Sequence, residues 1–149
     1  MPLLKPDEFY AKGSKVFRKA PVNRSAIQGW VQISQGKVSD AMKPDNSPGT
    51  RLGAAYDSVL NLSLAVLASK GWRVSSAEGH HAQSLEAACS YAGVTESVFN
   101  DMDAVRDLRN NQYDGVPASQ DDVKFAIVSM ERLVPPLLHM LKEHLTTKS

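Results

Sequence analysis

The sequence predicts an all-α fold, an up-and-down bundle of four to five helices. From Val123 to Leu141, apolar residues recur at a 4-3-4-3-4 spacing, which is typical of the inward seam of a bundle helix. Between Leu60 and Ala68 nearly every side of the predicted helix is apolar, which indicates a central, buried helix. No stretch alternates with a period of two for long enough to predict a strand.

Capping and breaker residues divide the chain into these helices. Asn23 can cap a first helix that ends near Met42, and Ala26, Ile27, Trp30 and Ile33 are predicted to face inward. A loop over 43–49 is rich in Pro, Asn and Gly and must separate this helix from the next. The further helices are predicted over 50–70, 77–92, 95–113 and from the cap at Ser119 onward. Residues 1–22 lack periodicity and form an N-terminal arm, and 23–149 form the helical bundle domain.

Composition and charge narrow the class of protein. The 149 residues suit one domain, and 42% hydrophobic with 22% charged residues is ordinary for a soluble globular protein. A net charge of +1 gives no broad attraction for nucleic acid. Cys89 is the only cysteine, so neither an intrachain disulfide nor a CxxC zinc pattern is available. No apolar run approaches the length of a membrane span and no signal peptide is recognisable, so we expect a cytoplasmic protein. Since no metal-ligand pattern is recognisable, we expect no cofactor and no metal.

A polar face replaces the apolar stripe at the end of the fourth predicted helix. The stripe that begins at Val98 leads, in steps of three or four residues, to Arg109 and then Tyr113, and Arg106 joins the same face. Arginine is rarely buried without a partner. Because this face has too little neighbouring acid to be buried within one chain, we expect it at a cleft or a two-fold interface.

The same stretch resembles a known signature. Arg109-Asn110 followed by Tyr113 is similar to the Arg-Asn…His/Tyr motif of the HEPN superfamily (higher eukaryotes and prokaryotes nucleotide-binding domains). Ala54-Ala55-Tyr56, Lys70-Gly71-Trp72 and Gly79-His80-His81 resemble the second helix of that superfamily and the turn after it, and the resemblance covers roughly 23–145. It implies a HEPN-like bundle that forms a homodimer, with the two motifs facing each other across a cleft.

This resemblance also implies a function. It is nucleotide or RNA binding, or metal-independent RNA cleavage, in a toxin–antitoxin or defence context, with an antitoxin protein as a candidate partner. In cleavage, Arg109 would bind the scissile phosphate and stabilise its charge, Asn110 would orient the backbone, and Tyr113 would contribute hydrogen bonding. The binding residues predicted around them are Arg106, Asp114, His80 and Tyr56.

One residue keeps an alternative open. Tyr113 stands where active members usually carry His, and a phenol that titrates near 10 is a poor base at neutral pH. This favours a non-catalytic dimerisation or protein-interaction module, in which the arginines form a helix-end salt-bridge cluster. We further predict that Asp57 of the central helix pairs with an arginine of the fourth helix. His80 and His81 are adjacent, so they should point to different faces and not share a metal ion.

Overall fold

The computed structural model describes residues 2–77 and 79–145 and is mostly helical, with 72% helix. Within these ranges it contains seven α-helices, one 3-10 turn and two short strands. The helices are α1 (Pro6–Ala11), α2 (Arg24–Met42), α3 (Pro48–Ser69), α4 (His80–Tyr91), α5 (Glu96–Asn111), α6 (Gln120–Met140) and α7 (Lys142–Leu145). The 3-10 turn is Gln112–Asp114, and the strands are β1 (Phe17–Lys19) and β2 (Trp72–Val74).

Helix α2 begins as the sequence predicts, and of the four residues predicted to face inward Ile27 is buried, Ala26 and Trp30 are half-buried and Ile33 is exposed. The side chain of Asn23 accepts a hydrogen bond from the Ala26 amide at 3.1 Å, which is the predicted cap. The inward stripe contains Ile27 and Val31, whereas Ile33 is 50% exposed. The prediction that Ile33 faces inward is therefore wrong, because two residues past Val31 correspond to about 200° around a helix.

Helix α3 is the central helix. It packs against α2, α4 and α6, and Leu62, Ala65 and Val66 on it are fully buried. In the described part of the chain it is the one helix long and apolar enough to cross a membrane, with a mean hydropathy of 1.3 over the relevant window. The prediction that no apolar segment is long enough to span a membrane is therefore wrong for this helix. Since 61% of that window is buried inside the protein, α3 is accounted for as a core helix.

The N-terminal arm packs on the body through an unpredicted strand pair. β1 pairs antiparallel with β2, so that Phe17 lies opposite Val74 and Lys19 opposite Trp72. Phe17 and Trp72 meet edge to face, with ring centroids 6.3 Å apart, inside a second small hydrophobic cluster. The prediction of no strand is thus wrong here, because three-residue strands are too short to show a period of two.

Helices α5 and α6 close the bundle. On α6, Val123, Met130 and Leu137 are buried along the predicted seam, and the Ser119 hydroxyl accepts from the Asp122 amide at the helix start. On α5, Met102 and Val105 are buried beneath the last turn. This packing places the end of α5 against the middle of α3.

Candidate functional site

Arg109 joins the end of α5 to α3. Its Nη1 donates to Oδ1 of Asp57 at 2.8 Å, which confirms the predicted pairing of Asp57 with an arginine of this helix. Its Cζ lies 4.9 Å from the ring centroid of Tyr56, so the guanidinium also rests against an aromatic ring. The carboxylate and the ring hold one arginine in place from two sides.

Two polar atoms of this group are buried without a hydrogen-bond partner among the described residues. They are the hydroxyl of Tyr56 and Nε of Arg109. Most buried polar groups in folded proteins are paired, and an unpaired one costs free energy. Because both atoms are also shielded from solvent, they mark a cost of packing at this site rather than donors that a ligand reaches directly.

The Tyr56 phenol stays protonated at neutral pH. Burial raises its pKa to about 12, although the positive charges of Arg106 and Arg109 act in the opposite direction. Tyr56 can therefore donate a hydrogen bond at this site, but it cannot accept a proton there at neutral pH.

Arg106, one turn earlier on α5, is paired with acids of its own helix. Its Nε donates to Oδ1 of Asp103 at 3.0 Å, and its Nη2 lies 3.8 Å from Oδ1 of Asp107. Burial acts to lower its pKa, but the hydrogen bond and charge of Asp103 outweigh this and the pKa is raised. The expectation that the arginine face has too little local acid is thus wrong, because these two aspartates and Asp57 of α3 supply it.

The predicted catalytic residues are only partly brought together. Arg109 and Tyr113 line one open cavity of about 380 Å³, together with Asp57 and Gln112. Tyr113 lies on the 3-10 turn and is 82% exposed, so it stands at the rim. Gln112 was not among the predicted site residues.

Gln112, which lines this cavity, packs against a glycine in the first turn of α3. A Cβ at Gly49 would lie 2.6 Å from Oε1 of Gln112, closer than side chains normally approach. The two segments are far apart in sequence, and a glycine at that position carries no signal that would identify its neighbour.

Asn110 and Asp114 do not line this cavity. Asn110 is half-buried on α5, between Arg109 and the 3-10 turn. Asp114 is exposed and, within the residues described, makes no ion pair.

The two histidines of α4 lie close to Tyr56, and the ring centroid of His81 is 6.4 Å from that of Tyr56. The rings of His80 and His81 are 4.0 Å apart and line one cavity, so the prediction that they point to different faces is wrong. Burial lowers the pKa of His81, and the charges of His80 and Arg109 lower it further. A neutral imidazole thus stands beside the Tyr56–Arg109 pair. The sequence predicts only His80 at the site. His81 reaches Tyr56 through the packing of α4 against α3, and no local sequence pattern predicts that contact.

A second cavity, of about 410 Å³, opens on the far side of these histidines. It lies between α2, α3, β2 and α4. Its walls include apolar, aromatic and imidazole side chains: Trp30, Leu60, Leu64, Trp72, His80 and His81. Because His81 also lies against Tyr56, this cavity is next to the arginine site.

Over 2–77 and 79–145, no group of three or more His, Cys, Asp or Glu side chains is arranged to hold a metal ion. Comparisons with protein-family models, with curated proteins and with solved structures find no match to this chain. The function must therefore be argued from the site itself.

Proposed function

We propose that this chain is a HEPN-like domain that binds RNA or nucleotides at Arg109, in the cytoplasm and in a toxin–antitoxin or defence context. The observation that supports this most is the fixed guanidinium of Arg109. It is held by Asp57 and Tyr56 and borders an open cavity. An arginine held in this way is suited to bind a phosphate, because its planar fork matches phosphate oxygens.

The neighbours of Arg109 fit a phosphodiester better than a free carboxylate. Gln112 and Tyr113 add an amide and a phenol to the cavity wall, and both can hydrogen-bond to phosphate or ribose oxygens. Asp57 accepts from Nη1 of Arg109 and Nε is buried, so Nη2 is the nitrogen most available to the ligand.

RNA cleavage is the stronger form of this proposal. Arg109 would stabilise the charge that develops on the phosphate, Tyr113 would donate a hydrogen bond, and Asn110 would orient the backbone. No metal ion is invoked. Tyr56, whose pKa is raised, is not suited to accept a proton at neutral pH, and the described residues that line the Arg109 cavity include no imidazole, so binding is the form that the geometry supports best.

The rival proposal is a non-catalytic dimerisation or protein-interaction module. Exposed apolar side chains favour it: Val116 follows the 3-10 turn, and Phe125 and Val128 lie three residues apart on the outer face of α6. These residues, rather than arginines already paired with their own acids, would form a homodimer contact or bind an antitoxin protein.

Fluorescence anisotropy with labelled single-stranded RNA, at one fixed salt concentration, tests the binding proposal. Arg109→Ala should weaken RNA binding by about 10- to 100-fold, since hydrogen bonds to charged groups contribute about 1.5–3 kcal/mol. The matched control is Arg132→Ala, which removes an exposed arginine whose ion pair with Asp101 is 3.8 Å long. Equal affinities for the two variants would overturn the proposal.

An RNA-cleavage assay tests the stronger form. Arg109→Ala should lower the rate by about 10²- to 10³-fold, Tyr113→Phe should lower it less, and chelators should have no effect. If wild-type protein neither binds nor cuts RNA or nucleotides, yet is a dimer by light scattering, the interaction module is the function.

A further inference from the structure

The cavity between α2, α3, β2 and α4 is built from flat side chains. Both tryptophans of the chain, Trp30 and Trp72, line it, and so do His80 and His81 of α4. Its volume of about 410 Å³ lies in the range of small-molecule sites, which are mostly apolar with a few polar groups. Leu60 and Leu64 of α3 complete the apolar wall.

The two tryptophans differ in how they are held. Trp72 is nearly buried: its Nε1 donates to the Tyr91 hydroxyl at 3.1 Å, and Nζ of Lys19 lies 4.1 Å from its ring centroid. Trp30 is half-buried and packs against the core, and among the described residues no hydrogen bond or ring contact holds its indole. Trp72 is therefore a fixed wall, and Trp30 is the aromatic side chain available to a ligand.

The cavity is next to a cationic site. His81 lines the cavity and lies 6.4 Å from the ring of Tyr56, against which Arg109 packs at 4.9 Å. The two cavities share no lining residue, so a ligand with a flat part in one and an anionic part at Arg109 must extend past the buried Tyr56 ring that separates them. A fatty acid or a hydrophobic peptide would use the apolar wall but not the paired imidazoles or the fixed guanidinium.

We propose that this cavity binds one unpaired nucleobase of the RNA or nucleotide whose phosphate lies at Arg109. The inference rests on the proposed function and adds the part of the ligand that it recognises. Single-stranded RNA is commonly bound through bases that stack on Trp, Tyr, Phe or His side chains. Such stacking tolerates different bases, since every base has a flat π-face.

The tryptophans make this proposal directly measurable, because the intrinsic fluorescence of the protein comes from the walls of this cavity. We would titrate the full chain with AMP, CMP, adenosine and ribose 5-phosphate, exciting at the red edge of the tryptophan band, where nucleotides do not absorb. AMP and adenosine should quench the fluorescence saturably, and ribose 5-phosphate should not. AMP should bind more tightly than adenosine, because only AMP has a phosphate for Arg109.

Leu64→Phe fills the cavity from a half-buried position on α3, and its matched control, Ile33→Phe, adds the same ring to an exposed position on α2. Leu64→Phe should weaken AMP and adenosine binding about tenfold or more, and Ile33→Phe should leave both unchanged. Arg109→Ala should reduce the affinity for AMP to that for adenosine.

The outcomes separate the inference from the proposed function. If adenosine does not quench the fluorescence while ribose 5-phosphate competes with AMP as well as unlabelled AMP does, the phosphate site stands and the base cavity is refuted. If no nucleoside or nucleotide alters the fluorescence at millimolar concentration while RNA binding still requires Arg109, the cavity is again refuted and the proposed function survives. If nucleosides bind but RNA affinity is indifferent to Arg109, the proposed function fails and the base site alone remains.

Discussion

Nη1 of Arg109 donates to Oδ1 of Asp57 across 2.8 Å, and the two residues are 52 positions apart in the chain. The side chains are 22% and 33% exposed, so water screens their attraction in part. The geometric effect of the pair is therefore larger than its energetic one. It fixes the last turn of α5 against α3 and sets the direction in which the guanidinium presents its remaining nitrogens.

Asp57→Asn should lower the free energy of unfolding by about 1 kcal/mol, because it removes one charge from a partly exposed pair but keeps an oxygen acceptor. Urea unfolding at neutral pH measures the change. Asp101→Asn is the control: Asp101 pairs with Arg132 at 3.8 Å with side chains 41% and 58% exposed, and this variant should change the value by less than about 0.5 kcal/mol. An equal loss for both variants would show that the Asp57 pair has no special structural role.

Tyr56→Phe should leave the free energy of unfolding unchanged or raise it by up to about 1 kcal/mol. The hydroxyl of Tyr56 is buried without a partner among the described residues, so its removal ends a desolvation cost while the ring beneath Arg109 remains.

The matched control is Tyr91→Phe. The Tyr91 hydroxyl accepts from Nε1 of Trp72, so this variant should cost about 1 kcal/mol. Denaturant unfolding of the two variants side by side tests the assignment. A loss at Tyr56 as large as that at Tyr91 would mean that its hydroxyl is hydrogen-bonded in solution.

Because of His81, the free energy of unfolding should fall as the pH drops from the ordinary histidine pKa toward the lowered pKa of the folded state. Burial, together with the charges of His80 and Arg109, lowers its pKa in the folded state. The unfolded chain then binds more protons, so the free energy of unfolding falls as the pH drops from the unfolded pKa of about 6.5 toward the folded one. Above that range the contribution is fully present.

NMR titration of the imidazole resonances measures the pKa of His81, and urea unfolding between neutral and mildly acidic pH measures the linked stability. His81→Gln should flatten this pH dependence, and His139→Gln, at an exposed position of α6, should not. A His81 resonance that titrates at or above the ordinary histidine pKa would refute the prediction.

Leu62→Ala should cost about 2–5 kcal/mol, because Leu62 is fully buried in the middle of α3 and its removal leaves a cavity. Leu64→Ala should cost less. Leu64 is half-buried and lines the open cavity beside Trp30, so its truncation leaves less enclosed empty space. Thermal or urea unfolding compares the two variants, and a larger loss at Leu64 would contradict the placement of α3.

The helices were predictable because their signals are local. The caps at Asn23 and Ser119 and the seam of α6 depend on residues within a few turns of one another. Ile33 shows the limit: its residue type suits a core position, but which face of α2 turns inward depends on how α2 packs against α3. The β1–β2 pair shows the same limit, because Phe17 and Val74 are far apart in the sequence and pair only in the folded chain.

The candidate site was predictable to the same degree. Arg109 and Tyr113 stand out because they interrupt an apolar stripe, and the pairing of Asp57 follows from a charge on a buried helix. His81 and Gln112 reach the site through the crossings of α3 with α4 and with the 3-10 turn. Such contacts follow from tertiary packing, which the hydrophobic periodicity of the sequence does not predict.

The pairing of β1 with β2 has a consequence for biosynthesis. The first strand leaves the ribosome before α2 and α3 exist, and its partner at Trp72–Val74 is made only after both. The side chain of Phe17 therefore stays exposed to solvent while the helical body is still being translated. The arm therefore docks on the helical body late in folding. We expect it to open more readily than the helices unfold, so the amides of β1 should exchange with solvent sooner than those of α3.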